Sequence, residues 1–481
     1  MYTQSAMNDL TATAAPEQER AQLSRSLRPR HVAMITIGGI IGAGLFVGSS
    51  ASIAATGPAI VLSYLITGTL VLLVMRMLGE MAVALPQVRS FTEFARVGLG
   101  PWAGFVAGWL YWYFWIIVVP VEAIAGATIL QGWLGLPAWL LGLVLMGIMT
   151  GVNLMSARSY GEFEFWFASI KVAAIVVFIA LAAAFALGYT APNGPTFANL
   201  TNYGGFMPKG WLAVLAGAVT VYFSLTGAEI TTIAAAESRE PVRAVARMSS
   251  SVIVRILTFY VGSVLLIVTV VPWIEVRPGE SPFTLALTTM HFRWASLAMS
   301  AIILTAVLSC LNSAFYVCSR VLFVLAEHGD APQWLVQLSA RRVPTRSVWM
   351  GSLAGVLGIL AAIASPQTVF AFLVNASGAL MVFVYMIVAL SQISLRRARE
   401  ARGEPPPALA MWFFPWASYA ALAGMAAVLI AMALTPGELG TELRVSVLAL
   451  AIALTAFYIV DARRRTHAAR LTPAASPRDR A

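Results

Sequence analysis

Thr36-Ile37-Gly38-Gly39-Ile40-Ile41-Gly42-Ala43-Gly44-Leu45-Phe46 breaks the first apolar stretch of the chain with glycine where a plain membrane anchor would be continuous. A similar interruption recurs in the sixth apolar stretch. There Ser224-Leu225-Thr226-Gly227-Ala228-Glu229 sets hydroxyls, a glycine and a carboxylate at a depth that lipid-facing segments do not tolerate. Gly38-x-x-x-Gly42 also has the small-xxx-small form that lets membrane helices touch, but four glycines between Gly38 and Gly44 exceed what a contact seam needs. Broken helices at matching places in two halves point to a substrate site near the bilayer midplane.

The 481 residues are 59% hydrophobic and only 11% charged, far from the roughly 25% charged residues of soluble domains. The composition is that of an all-α polytopic membrane protein. Apolar stretches near or above the ~20 residues that cross a bilayer fall at about 32–54, 59–83, 101–130, 138–155, 164–188, 211–234, 251–272, 295–325, 347–364, 368–392, 413–434 and 444–461. Twelve transmembrane helices are therefore expected. Residues 1–30 are polar and lack an apolar core with a small-residue cleavage site, so no signal peptide is expected.

The net charge of +10 is distributed by topology and does not call for nucleic acid. Arginines crowd alternate loops: Arg20, Arg25, Arg28 and Arg30 before the first stretch, Arg239, Arg243 and Arg247 after the sixth, Arg396, Arg397, Arg399 and Arg402 after the tenth. The opposite loops hold only Lys209, Arg277, Arg293 and Arg444. Both termini are thus expected in the cytoplasm. The first and sixth stretches lie five crossings apart, and because five is odd, units of five helices repeated once have opposite orientation. The expected organisation is a cytoplasmic segment 1–31, a ten-helix core 32–392 with inverted repeats at about 32–188 and 211–392, a linker 393–412, a peripheral pair 413–461 and a tail 462–481. The tail is expected to be disordered from Thr466.

Freed N–H groups at Gly42, Ala43 and Gly44, with the positive end of the following half-helix, suit a substrate carboxylate. An unwound backbone expected at Phe223 to Thr226, including Ser224, would offer carbonyl oxygens to an ammonium, and Phe223 an aromatic face. Carboxylate on one helix and amine on the other describe an amino acid. Lys171 and Glu229 are ionisable residues inside apolar stretches, which marks each as a functional candidate. Lys171 either snorkels to the interface or bonds freed carbonyls of the first helix, gaining and losing a proton through the cycle. Glu229 either carries a proton and gates, or caps amides of the broken helix. Glu122 reads as a structural or vestibule residue, and Arg76 with Glu80 as a surface pair. Asn312 and Ser313 read as bonding either a ligand or a neighbouring helix, with the neighbour favoured. Some of Trp109, Tyr111, Trp112, Tyr113 and Trp115 read as interfacial anchors. Cys310 and Cys318, eight residues apart in one stretch, cannot bridge.

The motifs Arg-His-Val-Ala-Met-Ile-Thr-Ile-Gly-Gly-Ile-Ile-Gly-Ala-Gly-Leu-Phe-Val-Gly-Ser at 30–49, Met-Arg-Met-Leu-Gly-Glu-Met at 75–81 and Gly-Glu-Phe-Glu-Phe-Trp at 161–166 resemble the amino acid permeases of the amino acid–polyamine–organocation superfamily. Gly227-Ala228-Glu229-Ile230 and Pro120-Val121-Glu122-Ala123 look most like the γ-aminobutyrate (GABA) permeases. The Gly38-Gly39 pair departs from the mixed small pair of that pattern. The resemblance implies a LeuT-like 5+5 inverted repeat with broken helices 1 and 6, proton symport and a bacterial inner membrane. It also implies carboxylate binding by the amides of Gly42, Ala43 and Gly44, an aromatic gate at Phe223, a gate-to-coupling link at Glu229 and the family's helix 5 lysine at Lys171.

The expected partners are a small amino acid, protons and the lipid bilayer, with no cofactor and no metal. Nothing in the sequence specifies an oligomeric state. Aromatic, proline or small neutral amino acids compete with GABA as substrates, and an exchanger or a ligand sensor would share the fold. An enzyme is disfavoured, since His31, His291, His328 and His467 lie at helix ends or loops and form no metal or triad constellation. A channel would need a continuous polar pore, whereas polar groups here cluster at two breaks.

Overall fold

The computed structural model describes residues 41–471 apart from 89, 156, 192–193, 228, 230–255, 340–342 and 436. Gly38 and Gly39, the continuation of the sixth stretch beyond Glu229, and the terminal ten residues lie outside the described part. Among the described residues every regular element is helical. Seven helical segments among the described residues are long and apolar enough to cross a membrane, and four helices of 10–17 residues are also apolar.

A π-helical turn at Gly44–Gly48 leads into α1 (Ser49–Thr56). α2 (Ile60–Ala84) follows, then the short α3 (Phe91–Leu99), whose first turn is capped by the Ser90 hydroxyl accepting from Glu93 N. α4 (Pro101–Leu134), α5 (Ala138–Asn153) and α6 (Ala157–Ala186) come next, and α7 (Gly210–Leu225) enters the sixth stretch. α8 (Ser263–Val270) continues a π-helical segment and is followed by the short α9 (Pro282–Thr289). The remaining helices are α10 (Arg293–Glu327), α11 (Thr345–Ala361), α12 (Pro366–Ala401), α13 (Trp416–Leu434) and α14 (Glu438–Leu471).

α4 is the hub: it packs most extensively on α10 and also on α12, α3, α11 and α5. α7, which enters the sixth stretch, is held by α2, α12 and α13. Polar residues stitch these contacts where apolar association gives no drive. Asn153 Nδ2 donates to Asn312 Oδ1 at 2.8 Å, so Asn312 bonds a neighbouring helix as expected. Thr220 Oγ1 donates to Asn375 Oδ1 at 2.7 Å, and Asn375 Nδ2 to Glu442 Oε1 at 3.2 Å, linking α7, α12 and α14. Cys310 and Cys318 are buried thiols that form no disulfide.

Several expectations need correction. α12 and α14 run past their apolar stretches, α12 to Ala401 and α14 to Leu471, so the chain is helical beyond Thr466. Hydropathy sees only the apolar part of a helix; arginine is itself a good helix former and extends it unseen. α3 and α9 are too short and polar to register as apolar stretches. Arg76 and Glu80 are not a surface pair. Glu80 is buried, pairs with Arg396 at 3.1 Å and accepts from Gln392 Nε2 and the Met411 amide. Arg76 donates to the Ala410 carbonyl and lies over the Trp412 ring. Within the aromatic run of α4, Tyr111 and Trp115 are fully buried; Trp109, Trp112 and Tyr113 are half-buried, which leaves room for the anchors expected there, and Trp109 Nε1 donates to the Asp330 carbonyl at 3.1 Å.

That Asp330, in the loop after α10, is buried between Arg96 of α3 and Arg464 of α14, the latter at 2.8 Å. Beside it His328 Nε2 faces Glu93 Oε1 at 3.3 Å while Nδ1 bonds the Val324 carbonyl. The Glu93 carboxylate raises the His328 pKa above its ordinary value of 6.5, against a smaller opposing effect of burial. A raised folded-state value means that this contact stabilises fully below about pH 6.5 and fades as pH rises through the folded value. His328→Gln should therefore lower thermal stability relative to the parent in mildly acidic buffer, with the difference closing at alkaline pH. A pH-independent difference would remove protonation from the account of this junction.

Candidate functional site

The first break is held from both sides by charge. Ile41 and Gly42 are non-helical, which frees the Ile41 carbonyl and the Ala43 amide. Lys171 of α6 is fully buried and its Nζ donates to the Ile41 carbonyl at 2.9 Å. This geometry is the bonded alternative of the sequence reading; snorkelling to an interface does not occur. Glu122 of α4, also buried, accepts from the Ala43 amide with both carboxylate oxygens at 3.1 Å. An ammonium and a carboxylate thus bracket Gly42, one on each freed backbone polarity.

Of the two roles the sequence left to Glu122, the structural one fits its hold on the Ala43 amide. It is no vestibule group, since it sits on the amide expected to receive a ligand carboxylate. Its α4 position after Pro120 gave no hint of that depth. Gly42 is required here by close approach: a Cβ on it would lie 2.7 Å from both Cys310 Sγ and Glu122 Oε1. Cβ on Gly44 would lie 2.8 Å from Ser224 Cα and 3.0 Å from the Phe223 ring. Close packing, one of the two readings their spacing allowed, therefore accounts for glycine at both positions.

The second break lies later than expected. α7 stays helical through Phe223, Ser224 and Leu225, and the chain leaves the helix at Thr226, with ψ at 144°. Local bonds explain the shift. Thr226 Oγ1 donates to the Tyr222 carbonyl at 2.7 Å, and Ser224 Oγ donates to the Gly44 carbonyl at 2.8 Å. Gly227 then takes φ of 124°, open only to glycine. Ser224 thereby joins the two breaks directly, and its hydroxyl faces the first helix.

Glu229 folds back onto its own break. Its carboxylate accepts from the Gly227 amide at 3.1 Å, from the Tyr111 hydroxyl at 3.1 Å and from the Tyr385 hydroxyl at 2.8 Å. It is buried, so three donors replace the water it lost. Tyr111, from α4, was read in the sequence only as part of an aromatic run, and Tyr385, from α12, was not singled out; nothing local marks either as a partner of Glu229.

Between the breaks Gly42, Gly44, Glu122, Phe223, Thr226 and Cys310 line a cavity that leaves ≈ 10 Å³ for the centre of a water molecule. That is about the space of one water. Phe223 is buried and its ring stands 6.1 Å from that of Phe114. An amino acid enters this cavity only if the broken helices part from α4 and α10. The arrangement is a closed polar site whose freed backbone groups are already satisfied by side chains.

The sequence was compared with known proteins. A family model described as "Amino acid permease" matches residues 31–464. The chain is 44% identical over 418 residues to the gamma-aminobutyric acid permease of Bacillus subtilis (strain 168), covering 86% of this chain and 89% of that one. It is 42% identical over 439 residues to the gamma-aminobutyric acid permease of Escherichia coli (strain K12), covering 90% and 94%. It is 39% identical over 418 residues to the aromatic amino acid transport protein AroP of Corynebacterium glutamicum, covering 85% and 90%.

Proposed function

The chain belongs to the amino acid permease family, and from that premise we propose that it imports GABA across a bacterial inner membrane by proton symport. Membership makes it a multi-pass membrane transporter of the amino acid–polyamine–organocation superfamily, and not an enzyme. The finer architecture belongs to the proposal: twelve spans, helices 1–5 and 6–10 as a 5+5 inverted repeat, a peripheral last pair, and both termini cytoplasmic. Its support is the placement of a break in the first and sixth stretches and the alternation of arginine-rich loops.

The observation that carries the substrate class is the bracketing of Gly42. A carbonyl and an amide freed at mid-membrane are satisfied by Lys171 and Glu122, an internal pair of opposite charges. A zwitterion offers the same two charges and can take over the same groups. Its carboxylate would go to the amides of Gly42, Ala43 and Gly44. Its ammonium would lie toward the second break, where Thr226 ends α7 and Phe223 and Ser224 face the first helix. GABA separates its charges by three methylenes, so a site spanning both breaks suits it better than one that fixes both groups on a single break. Lys171 would give and take the transported proton, and Glu229, tied to Tyr111 and Tyr385, would link the Phe223 gate to the surrounding helices.

A substrate carboxylate must displace Glu122 from Ala43. Glu122→Gln replaces a charged acceptor by a neutral one, and neutral hydrogen bonds are weaker by roughly 1 kcal/mol. The variant should bind GABA roughly fivefold more tightly near neutral pH, with a flatter pH dependence than the parent. Weaker binding with an unchanged pH profile would show that Glu122 contacts the substrate favourably and is no competitor.

An aromatic α-amino acid is the second reading, favoured by the likeness to the aromatic amino acid transport protein and by the Phe114, Trp115 and Phe223 walls of the cavity. Counterflow separates the two. Vesicles loaded with unlabelled GABA should accumulate labelled GABA transiently, whereas loading with phenylalanine should not drive it. The reverse pattern would move the substrate to the aromatic class while leaving the family intact.

A further inference from the structure

A second cavity lies away from the helix breaks, a cleft of ≈ 570 Å³ including its open mouth, between the ends of α2, α3 and α12. Its wall is mostly apolar, built from Met81, Leu85, Val97 and Leu395, while Arg396, Arg399 and Arg402 descend one side of it at successive turns of α12. The three guanidiniums are unequally satisfied. Arg396 is engaged by the buried Glu80 at 3.1 Å and by Glu400 at 2.9 Å. Arg399 and Arg402 share the Glu404 carboxylate, and Arg399 Nη2 also meets the Pro405 carbonyl at 3.4 Å. Arg399 Nε is buried and meets no acceptor in the structure. Two cations on one carboxylate, with a buried donor left over, make a place for one more negative group.

The depth of the cleft is marked independently. The segment that follows the linker is pinned to the cleft floor by the Met411 amide, which donates to Glu80, and by Arg76 over the Trp412 ring. On that segment Trp412, Phe413 and Trp416 are exposed, Phe413 to 87% and Trp416 to 76%. Large exposed aromatics on a membrane helix bundle gather at the level of the lipid headgroups. An anionic group at that depth, next to an apolar wall that leads back along α2 and α12, matches one amphipathic ligand.

We propose that this cleft binds an anionic phospholipid, with its phosphate on Arg399 and Arg402 and an acyl chain along Met81, Leu85, Val97 and Leu395. A soluble phosphate has the same headgroup chemistry but no use for the apolar wall. The bound lipid would bridge α2, which follows the first break, to α12, which carries Tyr385 against Glu229.

The test is native mass spectrometry of the full-length, delipidated transporter titrated with phosphatidylglycerol or with phosphatidylcholine in the same detergent. Phosphatidylglycerol should bind the more tightly, and each arginine removed should weaken it roughly fivefold, as expected for one basic residue near an anionic headgroup. Arg399→Gln/Arg402→Gln should therefore bring its retention down to that of phosphatidylcholine. Ala398→Trp keeps every charge and fills the cleft between the arginines and the apolar wall. It should lose phosphatidylglycerol as well, and it decides the matter if the arginine variant fails to assemble. Equal retention of the two lipids by the parent would overturn the proposal, and so would undiminished phosphatidylglycerol on Ala398→Trp. Displacement by millimolar inorganic phosphate would likewise overturn it in favour of a soluble-anion site.

Discussion

Lys171→Ala is expected to abolish proton-driven accumulation while leaving exchange of internal for external substrate in place. With one proton carried per substrate, each unit of pH difference supports about a tenfold concentration ratio, since one pKa unit is worth about 1.4 kcal/mol. The variant should equilibrate its substrate to a ratio near one whatever the gradient. The reason lies in the contact of Nζ with the Ile41 carbonyl. That bond is charge-assisted while the ammonium holds its proton, and it weakens to a neutral amine–carbonyl bond, by roughly 1 kcal/mol, when the proton leaves. In the proposed cycle, protonation of Lys171 and the position of the first helix are thereby coupled. Alanine uncouples them, at the cost of a carbonyl that is left unbonded throughout the cycle. Exchange activity guards against misfolding as the explanation. Accumulation that survives in a correctly inserted variant would sink the role of Lys171 as the proton carrier.

Gly44→Val should stop transport in a protein that still reaches the membrane. Its Cβ would stand 2.8 Å from the Cα of Ser224 and 3.0 Å from the Phe223 ring. The first of these is backbone and cannot step aside, so the two broken helices must separate. The Ser224 hydroxyl then loses the Gly44 carbonyl, now 2.8 Å away, and the Phe223 ring loses its seat over the glycine. A displacement on the order of 1 Å at a binding site costs about 10²-fold in turnover, and the loss here should reach at least that. Normal uptake by this variant would show that the substrate path lies elsewhere and that Gly44 is dispensable to it.

Much of this site was legible in the sequence, and the part that was not has a common physical cause. Glycine runs, a lysine inside an apolar stretch and a carboxylate beside a glycine are local anomalies, and each is read without knowing what lies across the bundle. Gly42, Ala43, Gly44, Lys171 and Glu229 were found that way, and the structure brings all of them to the two breaks. Partners supplied from distant helices leave no such mark. Glu122 meets Ala43 from 79 residues away, Tyr111 meets Glu229 from 118, and Tyr385 meets it from 156. Tyr111 and Tyr385 look like any core tyrosine until the fold aims their hydroxyls. The second break was misplaced by three residues for a related reason. Hydroxyls at Ser224 and Thr226 suggested an unwound backbone, yet in apolar surroundings they bond back onto helix carbonyls and preserve it. Glycine alone then fixed where the helix ends.

The helix boundaries followed the same division. Apolar stretches located the bundle, but α12 and α14 continue through arginine-rich turns that hydropathy counts as loop. Arg96 and Arg464 meet on Asp330 there, and Arg396 meets Glu80. The arginines read as a topology signal are therefore also structural partners for buried carboxylates.

The measurement that bears most directly on the account is uptake of labelled GABA into proteoliposomes in sodium-free buffer under an imposed pH gradient, acid outside. The account predicts accumulation above the external concentration that collapses when a protonophore is added. Uptake that only equilibrates, or that is indifferent to the gradient and the protonophore, would contradict it.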